Sequence, residues 1–124
     1  MRRTVFLALA LTGLTVAPAR AEPDIQAGKA LFAARCASCH YVGRNARAAF
    51  GPHLNGIFGR QAGGTSDFQY SDAMRASKLV WSRDTLDAFI RSPGKVVPGT
   101  KMRFWGIGND KQIEDLLAYL QTFK

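Results

Sequence analysis

Two cysteines and a histidine constrain this chain more than anything else in it. Cys36-Ala37-Ser38-Cys39-His40 has the C-x-x-C-H spacing of c-type haem attachment. Two thiols three positions apart project from nearly the same side of one turn. Both can then add to the two vinyl groups along one haem edge, with the adjacent histidine held under the iron as an axial ligand. Other uses of the pair fit less well. A disulfide between them closes a tiny loop and leaves the larger loops unstapled. A thioredoxin-like site needs a βαβ setting, and none is visible. A zinc site wants about four ligands, and beyond the motif the chain offers only His53. With 2 cysteines in 124 residues, a disulfide-stapled scaffold is excluded.

Attachment of this kind occurs outside the cytoplasm in bacteria, and the N-terminus carries a matching address. Met1-Arg2-Arg3 is a cationic start. Val5 to Val16 is apolar except for Thr12, Gly13 and Thr15. Pro18 and the small-x-small step Ala19-Arg20-Ala21 follow. This reads as a secretory signal peptide over residues 1–21, cleaved after Ala21. The apolar run falls short of the ~20 residues of a spanning helix, which argues against an uncleaved anchor or stable membrane insertion. Residues 22–124 then form one domain. Its 14 basic and 9 acidic residues bring the net charge from +8 to about +5.

The mature chain reads as all-α, with three to five helices and long loops. Asp24 to Arg35 puts Ile25, Gly28, Leu31 and Phe32 on one helical face. Cys36 to Thr65 has no period of 3.6 or 2 and is rich in glycine, so it is loop and turn. Ser71 to Ser77 makes about two turns of helix. Ser82 to Ser92 is a helix with Ser82 as N-cap, an apolar face of Leu86, Phe89 and Ile90, and Pro93 as its stop. Gly94 to Gly108 is again loop. Asn109 caps the last helix, with Gln112 placed as in a capping box. Ile113, Leu116, Leu117, Leu120 and Phe123 are its apolar stripe. Loops this long are unusual in so small a domain, and small domains often need a staple or cofactor. A covalent haem supplies one.

An iron with one histidine takes a sixth ligand or keeps an open position. Met1 is lost with the leader. Met74 lies in a helical segment, where it serves more naturally as core. Met102 lies in Pro98-Gly99-Thr100-Lys101-Met102, a turn that can lay its side chain over the distal haem face. His/Met ligation raises the reduction potential.

The pieces of this chain, in order, are Gly28 and Phe32, C-A-S-C-H at 36–40, G-P-H-L-N-G-I-F-G-R at 51–60, F-Q-Y-S-D-A at 68–73, Trp81, P-G-T-K-M at 98–102 and D-L-L-A-Y-L at 115–120. Together they resemble the class I cytochromes c, mitochondrial cytochrome c and its bacterial periplasmic relatives. The resemblance implies thioethers from Cys36 and Cys39 to one haem c, His40 as proximal ligand and Met102 as distal ligand. It implies that the Pro52 carbonyl accepts the His40 ring N–H. Arg60, Tyr70, Trp81 and Thr100 match positions that bond or charge-balance the haem propionates. Gly28 and Phe32 would cross the last helix near Leu116 and Tyr119. Two departures stand out. Phe89 occupies a position where the family often has a tyrosine bonded to the methionine sulfur. Met74 stands where a polar residue is common. Both changes make the pocket drier.

The function implied is one-electron transport in the periplasm, as in a respiratory chain, not enzymatic catalysis. Two strong-field ligands leave no room for substrate. The expected partners are redox proteins with acidic docking surfaces, met by a monomer through Arg35, Lys95, Lys101 and Lys111. Gly94 sits where a lysine is common, so this basic ring is thinner. Nucleic acid is an unattractive use of the charge, because the basic residues are scattered and the protein is exported. Two alternatives stay open: a haem enzyme or gas sensor with a labile methionine ligand, and a dedicated electron-transfer subunit of a periplasmic dehydrogenase.

Overall fold

A computed structural model describes residues 13–124. The part of the expected leader before Gly13 lies outside the described residues. From Gly13 to Asp24 the chain is exposed and has neither helix nor strand. Five helices follow: α1 (Ile25–Arg35), α2 (Asp72–Ala76), α3 (Arg83–Arg91), α4 (Pro93–Val96) and α5 (Asp110–Leu120). Among the described residues, β pairing is limited to one isolated bridge between Gln61 and Val80. None of these helices is long and apolar enough to cross a membrane.

The helix ends follow from side chains that satisfy the first free N–H groups. Asp24 accepts from Gln26 and Ala27 and starts α1. Ser71 accepts from Met74 and starts α2. Ser82 and Thr85 form a reciprocal capping box on α3. Asn109 accepts from the N–H of Gln112 and starts α5. Pro93 ends α3 but also opens α4. A proline is tolerated at the first position of a helix, where its missing N–H would have had no partner. The expected loop after Ser92 therefore begins with a helical turn. Ile25, expected on the apolar face of α1, is exposed.

The frame is the crossing of α1 over α5. Gly28 and Phe32 are the buried residues of α1, and Ile113, Leu116, Leu117 and Leu120 form most of the buried face of α5. A Cβ on residue 28 would lie 2.0 Å from the Asp115 carbonyl oxygen and 2.9 Å from Tyr119 Cβ. Only glycine allows this approach. One turn on, the rings of Phe32 and Tyr119 meet at 5.6 Å, and Tyr119 meets Phe123 edge-on at 5.0 Å.

A polar contact fastens the same crossing. Asp115 is buried and accepts the Asp24 N–H at 2.7 Å, so its carboxylate faces the start of α1, where negative charge is favoured. Lys111, one turn earlier on α5, pairs with it. Burial pushes the Asp115 carboxyl up, but the Lys111 ammonium and the Asp24 N–H outweigh it and hold it below its ordinary value. A depressed carboxylate stabilises the fold above its unfolded pKa, roughly 4, and loses that contribution as pH falls through the folded value. Replacing Asp115 with alanine is expected to cost about 2 kcal/mol at neutral pH. The cost should shrink as the pH is lowered below about 4, a trend that urea unfolding at several pH values reads directly.

Candidate haem site

α1, α3 and α5 with the two long loops enclose a cavity of about 480 Å³. Its walls are largely apolar: Phe32 from α1, Leu86, Phe89 and Ile90 from α3, and Leu116 and Leu120 from α5. All nine residues singled out in the sequence line this one space: Cys36, Cys39, His40, Pro52, Arg60, Tyr70, Trp81, Thr100 and Met102. They come from positions up to 66 residues apart in the chain.

α1 delivers the motif. Its last turn closes with the Cys36 and Ala37 N–H groups both bonded to the Phe32 carbonyl, and His40 N–H then bonds to Cys36 O at 2.9 Å. This compact turn brings both free thiols and the imidazole to the cavity. Cys36 is half-buried and Cys39 exposed. Burial pushes the Cys36 thiol up to about 11, with Cys39 adding to the rise and Arg35 opposing it. The sulfur is therefore a neutral thiol at neutral pH.

His40 is held from behind. Its Nδ1 donates to Pro52 O at 2.8 Å, which fixes the tautomer and leaves the lone pair on Nε2. Burial lowers its pKa, opposed by the Pro52 bond, and the ring is neutral at neutral pH. Gly51 packs against the ring face: a Cβ there would lie 2.5 Å from His40 Cε1. Pro52 thus sets the hydrogen bond of the imidazole and Gly51 its close packing.

Met102 lines the same cavity from the loop after α4. Thr100 Oγ1 accepts the Met102 N–H at 3.2 Å, so Thr100 shapes the turn that presents the thioether. Met74 also lines the cavity, but from within α2 and buried. Phe89 packs against Trp81 at 5.0 Å and brings no polar group to the cavity.

Arg60, Tyr70 and Trp81 bring further polar groups to the cavity. Arg60 donates to His53 O at 2.7 Å and to Asn55 O, and burial lowers its pKa. Tyr70 hydroxyl pairs with Thr65 Oγ1 at 2.6 Å. Trp81 is buried and lines the cavity. His53 contacts Arg60 through Nδ1, and no group of three metal-ligating side chains is found among the described residues.

The cationic candidates divide. Arg35 and Lys101 line the cavity. Lys95 is exposed on α4 and does not line it. Lys111 is engaged with Asp115 at the helix crossing, so its charge serves the fold. Sequence reasoning missed Phe50, Arg103 and Phe104, which line the cavity, and Trp105 beside them. Phe50 is 87% exposed and Trp105 fully exposed. No aspartate or glutamate lines the cavity.

This donor set suits one flat, covalently held macrocycle. Two thiols sit at one edge, a neutral imidazole with a free lone pair stands beside them, and the walls are dry. The family model for cytochrome c matches residues 25–124. Cytochrome c2 of Blastochloris viridis is 40% identical over 123 residues, covering 99% of this chain and 94% of that protein. Cytochrome c2 of Rhodoplanes tepidamans is 46% identical, over 81% of this chain and 92% of its own length. Cytochrome c of Stellaria longipes is 43% identical, over 81% of this chain and 93% of its own length. The reading as a haem enzyme falls on this finding, since the family consists of electron carriers. The chain belongs to the class I cytochrome c family, binding haem c covalently through Cys36 and Cys39 and carrying electrons.

Proposed function

We propose that this protein is an exported, periplasmic one-electron shuttle whose iron is held by His40 and Met102. The observation that carries the reading is the meeting of a tautomer-fixed His40 and a loop-borne Met102 on one apolar cavity. When bound, the haem supplies reversible one-electron chemistry. The chain's own residues do the rest. The Pro52 carbonyl orients His40 and raises its basicity. Arg60, Tyr70, Trp81 and Thr100 meet the propionates. The buried walls keep water from the iron. Residues 1–21 are the export signal and 22–124 the working domain. The alignment with the Blastochloris viridis protein, spanning almost the whole chain, supports a relative with the same layout.

The pocket also bears on the potential. Phe89 offers the methionine sulfur no hydroxyl, and burial of Met74 adds a second apolar side chain. Polarity around the ligands tunes the potential. Phe89→Tyr is expected to move the midpoint by tens of millivolts, on the order of 1 kcal/mol of differential stabilisation. Potentiometry reads it, and an unchanged midpoint contradicts a role for this pocket's dryness.

The mouth of the cavity recognises negatively charged redox partners. Arg35, Lys101 and Arg103 are exposed there, with no carboxylate among the lining residues. Lys95 lies nearby in sequence, and Phe50 and Trp105 offer apolar contact. Segments 25–66 and 88–109 contain no acidic residue at all. Such a field speeds encounter with anions, and salt weakens it. Oxidation of the ferrous protein by ferricyanide should therefore slow by about tenfold between low and physiological ionic strength. Oxidation by a cationic cobalt(III) complex should speed up over the same range. The double change Lys101→Glu with Arg103→Glu should flatten both trends. Stopped-flow absorbance gives the rates, and equal salt dependence for the two oxidants contradicts a cationic mouth.

A further inference from the structure

The loop that carries Met102 runs from Val97 to Asn109 and is held at its two ends. At its entrance, Val97 N–H bonds to Pro93 O at 2.9 Å and Thr100 N–H to Val97 O at 3.0 Å. At its exit the loop lies on the end of α3. Ile107 N–H bonds to Ile90 O at 3.1 Å. Gly106, with φ +95°, presses so closely that a Cβ would lie 2.0 Å from the Arg91 carbonyl oxygen. Between the ends, a Lys101 Nζ bond to Gln69 O at 3.2 Å ties residue 101 to the rest of the chain.

The Arg91 side chain gathers this exit. Its Nε and Nη2 grip both carboxylate oxygens of Asp87, at 2.6 and 3.2 Å, which fixes the guanidinium on α3. Nη2 also reaches Asp110 Oδ1 at 2.8 Å, at the start of α5. Nη1 donates to Gly108 O at 3.2 Å, within the loop itself. One planar group thus ties together the end of α3, the loop exit and the start of α5. A lysine offers a single point charge and cannot reproduce the fork.

We propose that Arg91 is a positioning residue for the sixth ligand: it fastens the exit of the loop so that Met102 stays at the iron. The inference rests on the reading of Met102 as that ligand. The pairs are partly exposed, and such pairs add little to global stability. Their effect falls instead on the fraction of molecules in which the loop has swung away. An added ligand that needs the sixth position binds in proportion to that fraction.

The test uses the haem-loaded ferric protein, titrated with imidazole and followed by loss of the far-red absorption band of methionine-ligated ferric haem. Arg91→Met, Arg91→Lys and the control Arg83→Met are compared with the unaltered protein. Arg83 also ties α3 to α5, through Glu114, but does not touch the loop. Urea unfolding of each variant reports global stability alongside. Imidazole should bind Arg91→Met about tenfold more tightly than the unaltered protein. Arg91→Lys should fall between the two, and Arg83→Met should match the unaltered protein. Unchanged affinity in Arg91→Met, or an equal rise in Arg83→Met, overturns the proposal while the band still reports Met ligation. Absence of the band in the unaltered protein overturns the ligation reading and this inference with it.

Discussion

Met102→Ala should yield a folded protein with its haem still attached and its sixth coordination position open. The attachment depends on Cys36 and Cys39, which lie on the far side of the chain from the Met102 loop in sequence and in element order. The loop is tied at both ends by backbone bonds that the substitution does not touch. The expected results are loss of the far-red band, binding of carbon monoxide by the ferrous protein, and a fall in reduction potential on the order of 0.1 V or more, since axial-ligand identity sets the potential. Met74→Ala is the counterpart. Met74 sits inside α2, buried and with its backbone committed to the helix. Its loss should leave the band in place and make the protein refractory to carbon monoxide as before. The reverse pattern would assign the iron to Met74.

The largest effect on stability is expected at Gly28→Ala. Alanine is the better helix former by about 1 kcal/mol, so propensity alone predicts a gain. The crossing of α1 over α5 reverses the sign. A methyl at residue 28 would lie 2.0 Å from a backbone carbonyl of α5, and neither partner is a flexible side-chain end. The helices must separate, and the Phe32–Tyr119 contact one turn away separates with them. Overpacking of this kind costs up to about 3 kcal/mol, or roughly 10–20 °C in melting temperature for a domain of this size. Thermal unfolding followed by circular dichroism measures it. A melting temperature equal to that of the unaltered protein would mean that the two helices tolerate a wider spacing.

Much of this architecture was legible in local sequence, for reasons particular to each element. α5 announces itself through a cap at Asn109 and an apolar stripe from Ile113 to Leu120, and α3 through Ser82 and its Leu86, Phe89 and Ile90 face. The cysteine motif, and Met102 as a residue of the cavity wall, were legible because few residue types carry their chemistry. What local pattern could not supply was the contacts made across long stretches of chain. Asn55 pairs with both backbone groups of Gly43 at 2.8 Å, and Arg60 with the carbonyls of His53 and Asn55. These bonds shape the glycine-rich loop, and no periodicity encodes them. Ile25 fits the helical spacing of a buried face but lies at the first position of α1 and stays in water. Lys111 looked like a docking charge because nothing in sequence shows that Asp115 is buried beside the start of α1. Arg91 was not singled out in the sequence, and only its four bonds across three segments set it apart.

The most direct test of His40/Met102 ligation is a visible absorption spectrum of the purified, haem-loaded protein at neutral pH in both oxidation states, repeated under carbon monoxide. The account predicts a low-spin ferric spectrum with the weak far-red methionine band, and a ferrous spectrum that carbon monoxide leaves unchanged. A high-spin ferric spectrum without that band, together with rapid carbon monoxide binding, would contradict it.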